Sequence, residues 1–227
     1  AQDRRIANLL EVEGFLEIHR QWKKMGYPFD SLVPSYATTL GASADRPAAL
    51  AELMGIIIND GVRKPSVRID SMHFAANTPY DTMVKRGSKV EAEQVLSPDV
   101  AKAVAKAIRE VVSDGTAKRA KTAFVGADGV PIPMGGKTGT GDQRFDVYGA
   151  GGRLIESRYV NRSATFVFNI GERFYGSMTA YVRGPESKNY DFTSALPVQL
   201  LVSLAPSLMP LIEAPAPAEG VAKQCTN

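Results

Sequence analysis

Apolar residues recur at helical spacing in four stretches of this 227-residue chain. The first holds Ile6, Leu9, Leu10, Phe15, Ile18, Trp22 and Met25. That spacing predicts a helix with Gly14 as its weak point and Gly26-Tyr27-Pro28 as its end. Residues 28–46 read as a turn-rich connection. A second helix starts at Pro47, turns Leu50, Leu53, Met54, Ile57 and Ile58 inward, and closes at Gly61. In the third, Ser97 is the N-cap, Pro98 the first helical residue, and Asp99 sits at the positive end of the dipole. Its stripe is Val100, Val104, Ile108, Val111 and Val112, with Gly115 expected as a left-handed C-terminal cap. Lys102, Lys106 and Arg109 fall on what reads as its solvated face. A fourth apolar helix, about 194–209, is rich in Leu200, Leu201 and Leu204.

Between the third and fourth helices the period changes from 3.6 to 2. Val130-Pro131-Ile132-Pro133 is extended, because proline disfavours helix in the residue before it. A glycine-rich strand is expected at 135–141. Two further runs, 163–170 and 176–183, alternate like strands across a five-residue link that contains glycine, and so predict an antiparallel hairpin at 163–183. Residues 142–162, with Gly149, Gly151 and Gly152, stand between strand and hairpin as an insertion expected to form a loop. Helices followed by strands and a last helix give an α+β domain with an antiparallel sheet, spanning 1–213. The tail 214–227, with Pro215, Pro217 and Gly220, reads as disordered.

Composition narrows the chemistry. A net charge of +3 over this length is too small to suggest nucleic acid. One cysteine, Cys225, excludes an internal disulfide or a multi-cysteine zinc site, and two histidines, His19 and His73, leave little for a histidine-based triad or a metal cage. His73, with no carboxylate cluster beside it in sequence, reads as structural, and His19 as solvated on its helix. Lys118-Arg119-Ala120-Lys121 reads as helix-end charge, and Asn161-Arg162-Ser163 matches a glycosylation sequon. No run approaches the roughly eighteen consecutive apolar residues of a membrane span. The start lacks both Met and a signal-like apolar region, which fits a processed chain or a piece of a longer one.

The segment Gly135-Gly136-Lys137-Thr138-Gly139-Thr140-Gly141 concentrates the candidate chemistry. A phosphate-binding loop needs glycine at position 131, but Pro131 has no N–H to offer, and no helical stripe follows. On an extended strand, Lys137 and Gly139 share one face and Thr138 and Thr140 the other. An ammonium there favours the carboxylate of an anionic substrate. Gly139 leaves room for substrate backbone, the threonine hydroxyls can donate to a carboxylate, and a strand N–H can serve an oxyanion. This is the K-T-G pattern of serine acyl-transferases acting on D-Ala-D-Ala peptides and β-lactams. A glycine turn with a solvated lysine is the plain alternative.

The surrounding residues carry a resemblance. Gln94-Val-Leu-Ser-Pro-Asp-Val, then Asp114-Gly-Thr-Ala, then Gly136-Lys-Thr-Gly-Thr, together with Pro34-Ser-Tyr-Ala-Thr-Thr-Leu-Gly-Ala-Ser ahead of Ala48–Gly61, resemble the transpeptidase domain of penicillin-binding proteins. Class A, bifunctional members are the most similar, over roughly residues 15–205. The resemblance implies the fold shared with serine β-lactamases, a serine nucleophile in S-x-x-K, a second motif S-x-N, and K-T-G as the third. It implies catalytic roles for Lys137 and Thr140, and substrate binding by Thr138, Gly139 and Thr140. The partners it implies are peptidoglycan stem peptides ending in D-Ala-D-Ala and β-lactam antibiotics, with no metal and no organic cofactor. The setting is the periplasmic face of the bacterial inner membrane, reached only through an upstream anchor.

No S-x-x-K occurs in the chain; Thr82-Met83-Val84-Lys85 is the nearest miss. The single S-x-N, Ser187-Lys188-Asn189, follows K-T-G instead of preceding it, so a chance match is the better reading. Both motifs are therefore expected upstream of Ala1, in an N-terminal part of the same protein, which leaves this chain inactive alone. Two other readings stand beside that one. One is a non-catalytic, cleft-bearing binding module of the same family. The other is a D,D-carboxypeptidase or β-lactamase-like hydrolase with water as acceptor.

Overall fold

The computed structural model describes residues 2–41, 43, 45–69, 71–85 and 91–215. Cys225 and most of the tail expected to be disordered lie outside the described residues.

Helix α1, Gln2–Lys24, runs unbroken through Gly14. Of its expected inner face only Phe15 is buried, edge-on to Tyr36 with ring centroids 5.8 Å apart, while Ile6, Leu9 and Leu10 are exposed. His19 is half-buried rather than solvated: its Nε2 lies 3.0 Å from the Phe29 carbonyl and its ring meets Tyr27 edge-on.

Helix α2, Pro47–Ile58, is capped as expected: Gly61, at φ 85°, donates its N–H to the Ile56 carbonyl at 2.8 Å. Helix α3, Pro98–Ser113, begins with Ser97 Oγ accepting from the Val100 N–H. Two expectations for α3 need correction. Its buried residues are Ala101, Ile108 and Val112, at i, i+7 and i+11, while Val100 at the open first turn is exposed. Nor is Gly115 left-handed. Its need for glycine is steric, since a Cβ there would lie 2.9 Å from the Val111 backbone.

Strands β1 (Val62–Arg63), β2 (Ser71–Phe74), β3 (Thr82–Lys85) and β4 (Glu93–Gln94) form two small ribbons, β1 with β4 and β2 with β3. In the second, His73 Nε2 lies 2.7 Å from Asp81 Oδ1 while Asp81 Oδ2 accepts from the Asn77 N–H. These bonds, the histidine's first, hold the Asp81 carboxyl below its ordinary 3.8. A depressed carboxyl stabilises the fold above its ordinary value and loses that contribution as pH falls through its lower folded value. The protection of β2 and β3 amides, measured relative to their intrinsic exchange rates, is therefore expected to hold from neutral pH down to that ordinary value and to fall only below it. Asp81→Asn should remove the acid-dependent step.

The main sheet has the order β5 (Met134–Tyr148), β6 (Leu154–Ile170), β7 (Phe174–Arg183), antiparallel throughout. Residues 142–162 therefore do not form a loop. They extend β5 and β6 into a long ribbon from the Asp142–Arg162 pair to the Tyr148–Leu154 pair. Cross-strand chemistry explains the ribbon: Arg162 donates to Asp142 at 2.8 Å, and Arg144 lies 4.2 Å over the Tyr159 ring. Its glycines serve the tip alone, where Gly151 and Gly152 take φ of 75° and 76°. Asn161 is buried inside the ribbon, donating to Gln143 at 2.6 Å, so its sequon is not accessible. The turn from β6 to β7 takes three residues, 171–173, rather than five.

One face of the sheet presents Met134, Phe166, Phe168 and Ile170 to Val198, Leu201 and Ala205 of α4 (Ala195–Glu213), with Phe124 and Val112 completing the core. Helices α2 and α3 cover the other face. Although no run of strictly apolar residues is that long, α4 is long and apolar enough to cross a membrane by length and composition. Its inner stripe nonetheless packs on the sheet, and Pro206 and Pro210 lie within it. The fold is the mixed helical and antiparallel architecture expected.

Candidate active site

Alternation along β5 puts Gly135, Lys137 and Gly139 toward α2 and α3, and Gly136, Thr138 and Thr140 toward α4. Lys137 pairs in register with Val167 and Gly139 with Thr165. A cleft of about 470 Å³ opens over them, walled by Leu50, Leu53, Met54 and Ile57 of α2 and by Val104 and Ile108 of α3. Thr39 and Gly41 also line it. Lys137 is the single charged side chain among the described residues that line it. Nothing lies within 4 Å of where a Gly139 Cβ would be, so the strand face beside the ammonium is open backbone.

Lys137 Nζ donates to the Thr138 carbonyl at 2.6 Å, folding back along its own strand. The Thr138 side chain is buried, its Oγ1 2.7 Å from Thr116 Oγ1. Thr140 Oγ1 accepts from the Ser194 N–H at 2.8 Å, next to the start of α4. So the structure brings Lys137 and Gly139 together in the cleft, while the hydroxyls of Thr138 and Thr140 already have protein partners. Because β5 is an edge strand in the described sheet, its outward N–H and C=O groups have no strand opposite them.

Sequence reasoning did not single out Thr116 or Ser194, the partners of those hydroxyls. Thr116 lay within a segment already noted, and only the fold could set it against Thr138, 22 residues away. Ser187-Lys188-Asn189 folds as a 3-10 turn, with Asn189 Nδ2 donating to Glu186 and Ser187 buried, and it does not line the cleft. Among the described residues, no group of three or more metal-ligating side chains occurs.

The family model for the penicillin binding protein transpeptidase domain matches residues 13–152. The chain is 28% identical to penicillin-binding protein 1B of Escherichia coli over 157 residues, which is 68% of this chain and 17% of that protein. Its fold is similar to penicillin binding protein 3 of Mycobacterium tuberculosis, solved with aztreonam, at a TM-score of 0.54 and 20% identity, covering 88% of this chain and 47% of that one. It is also similar to PonA1 of the same organism, at a TM-score of 0.50 and 14% identity, covering 86% of this chain and 44% of that one. The chain thus spans less than half the length of each of these relatives. With more than half of its residues matched by the family model, the chain belongs to the penicillin binding protein transpeptidase domain family.

Proposed function

We propose that this chain supplies the K-T-G half of a serine D,D-transpeptidase site in peptidoglycan synthesis, on the periplasmic face of the inner membrane. The observation that carries the reading is the lone ammonium of Lys137 beside the open backbone of Gly139, in a cleft whose helical walls, from α2 and α3, are apolar. Low-dielectric walls strengthen an electrostatic contact relative to water. An anionic peptide end laid along the β5 edge meets that charge.

In this reading a serine from an S-x-x-K segment outside this chain attacks the penultimate D-Ala carbonyl. The C–N bond to the terminal D-Ala breaks, that amine leaves with a proton, and an acyl-serine remains. An amino group of a neighbouring stem peptide then attacks the ester, releases the serine and completes the cross-link. Lys137 turns from the Thr138 carbonyl to the reacting serine and substrate, supplying charge and proton relay. Thr138 and Thr140 exchange their present partners for the terminal carboxylate, and the Thr140 N–H donates to the oxyanion. A β-lactam acylates the same serine as a mimic of the peptide. That one M. tuberculosis relative is described in complex with aztreonam supports this choice of ligand.

Labelling with a fluorescent penicillin tests the reading. The 227-residue chain contains no S-x-x-K, so it should form no adduct that survives denaturation. The same chain joined to an S-x-x-K and S-x-N segment of its own protein should label stoichiometrically. Stoichiometric labelling of the chain alone, or none of the joined protein, would overturn it.

A further inference from the structure

Thr116 meets the K-T-G strand from outside the motif. Its Oγ1 lies 2.7 Å from Thr138 Oγ1, and either oxygen can be the donor. Thr138 is 8% exposed and is among the residues that line the cleft with Lys137. Water has little access to its hydroxyl. Among the described residues, Thr116 is the hydrogen-bond partner that hydroxyl has.

The contact is held by backbone on both sides. Thr116 follows Gly115, where a Cβ would lie 2.9 Å from the Val111 Cα and carbonyl oxygen, and it precedes Ala117, which is fully buried. Both neighbours are tied to the last turn of α3: the Gly115 N–H donates to the Glu110 carbonyl at 3.1 Å and the Ala117 N–H to the Val111 carbonyl at 3.0 Å. So fixed, Thr116 presents its hydroxyl to a strand 22 residues away.

The next hydroxyl on the same side of β5 has a related arrangement with a fixed donor. Thr140 Oγ1 accepts from the Ser194 N–H at 2.8 Å, and a hydroxyl that accepts keeps its own proton to give elsewhere. Thr116 can do for Thr138 what that amide does for Thr140. Unlike the amide, it can also accept.

We propose that Thr116 is a positioning residue for carboxylate recognition: it donates to Thr138 Oγ1 and so turns the Thr138 proton toward the carboxylate of the peptide or β-lactam. This rests on the transpeptidase reading above. What Thr138 exchanges is then the direction of its proton. Without ligand the two hydroxyls share one hydrogen bond in either sense; with a carboxylate present, Thr138 gives its proton to the anion and accepts that of Thr116. Donation from Thr116 polarises the Thr138 O–H and strengthens its bond to the anion. The buried oxygen is never left without a partner, and Thr116, being exposed, has water for the lone pair it vacates.

Second-order acylation rate constants test this in the protein that carries the nucleophile segment ahead of this chain. Thr116→Val keeps the shape and removes the hydroxyl, and should slow acylation by benzylpenicillin about three- to tenfold, the worth of one hydrogen bond. The methyl ester of the same penicillin has no carboxylate, so with it Thr116→Val should stay within about twofold of the unsubstituted protein, which also reports that the variant is folded. Thr116→Ser restores the hydroxyl and should bring the benzylpenicillin rate back to within about twofold. An unchanged benzylpenicillin rate in Thr116→Val, an ester slowed as much as the acid, or a serine variant no faster than the valine one would each overturn the proposal. If the unsubstituted joined protein is not acylated at all, it is the transpeptidase reading itself that fails.

Discussion

Replacing Lys137 with alanine, in a protein that carries the nucleophile segment ahead of this chain, is expected to slow β-lactam acylation by about 10²–10³, near 2.7–4 kcal/mol of barrier. The size follows from the surroundings of the ammonium. No second charged side chain lines its cleft among the described residues, so nothing there substitutes for it. The walls are aliphatic, so its field at a nearby hydroxyl or carboxylate is poorly screened. Lys137→Arg keeps the charge but replaces a compact, rotatable donor with a planar fork, and should recover only part of the rate. The residue is exposed and its one side-chain hydrogen bond is to the neighbouring Thr138 carbonyl, so unfolding free energy should stay within about 0.5 kcal/mol of the unsubstituted chain. The second-order acylation rate constant and a urea titration, measured together, decide the matter. Acylation near the original rate would remove Lys137 from the mechanism.

What the sequence displays of this site is the part held by local rules. Alternation on a strand is a property of the backbone, so the division of Lys137 and Gly139 from Thr138 and Thr140 could be read directly. The helix starts at Pro47 and Pro98 were equally legible, because caps and proline positions act within one turn. Long-range packing was not. Val100 fits the helical stripe as well as Ala101 does, and only the placement of the sheet against α3 decides which is buried. The ribbon at 142–162 was hidden because its glycines read as loop residues, whereas they cluster at the tip and the strands are held by Arg144 on Tyr159 and Arg162 on Asp142. Gly115 was assigned a backbone reason, and the structure gives it a steric one. Thr116 and Ser194 were out of reach, since each meets the motif only across the fold.

The glycines around Lys137 are expected to divide sharply between fold and chemistry. Gly136 faces the core. A Cβ there would lie 2.5 Å from Phe166 Cε2 and 2.6 Å from the Val167 carbonyl oxygen of the paired strand. Phe166 is fully buried at the centre of the core and stacked on Phe168 at 5.6 Å, so its ring cannot yield cheaply. A backbone carbonyl in a paired strand cannot turn aside without losing its ladder. Gly136→Ala should therefore cost about 1–3 kcal/mol net of the roughly 0.4–1 kcal/mol that lower unfolded-state entropy returns. In a chain of this size that is a fall in Tm of about 2–4 °C for each kcal/mol. Gly139, two residues on, faces open space, and Gly139→Ala should leave stability within about 0.5 kcal/mol. Its methyl group would nonetheless stand where substrate backbone is proposed to lie, and a displacement of about 1 Å there is enough to slow acylation about tenfold or more. Thermal unfolding of both variants, paired with acylation of the joined protein, tests the division. An unfolding curve for Gly136→Ala that overlays the unsubstituted one would refute the packing argument. Full acylation by Gly139→Ala would show that substrate does not approach the cleft along this strand.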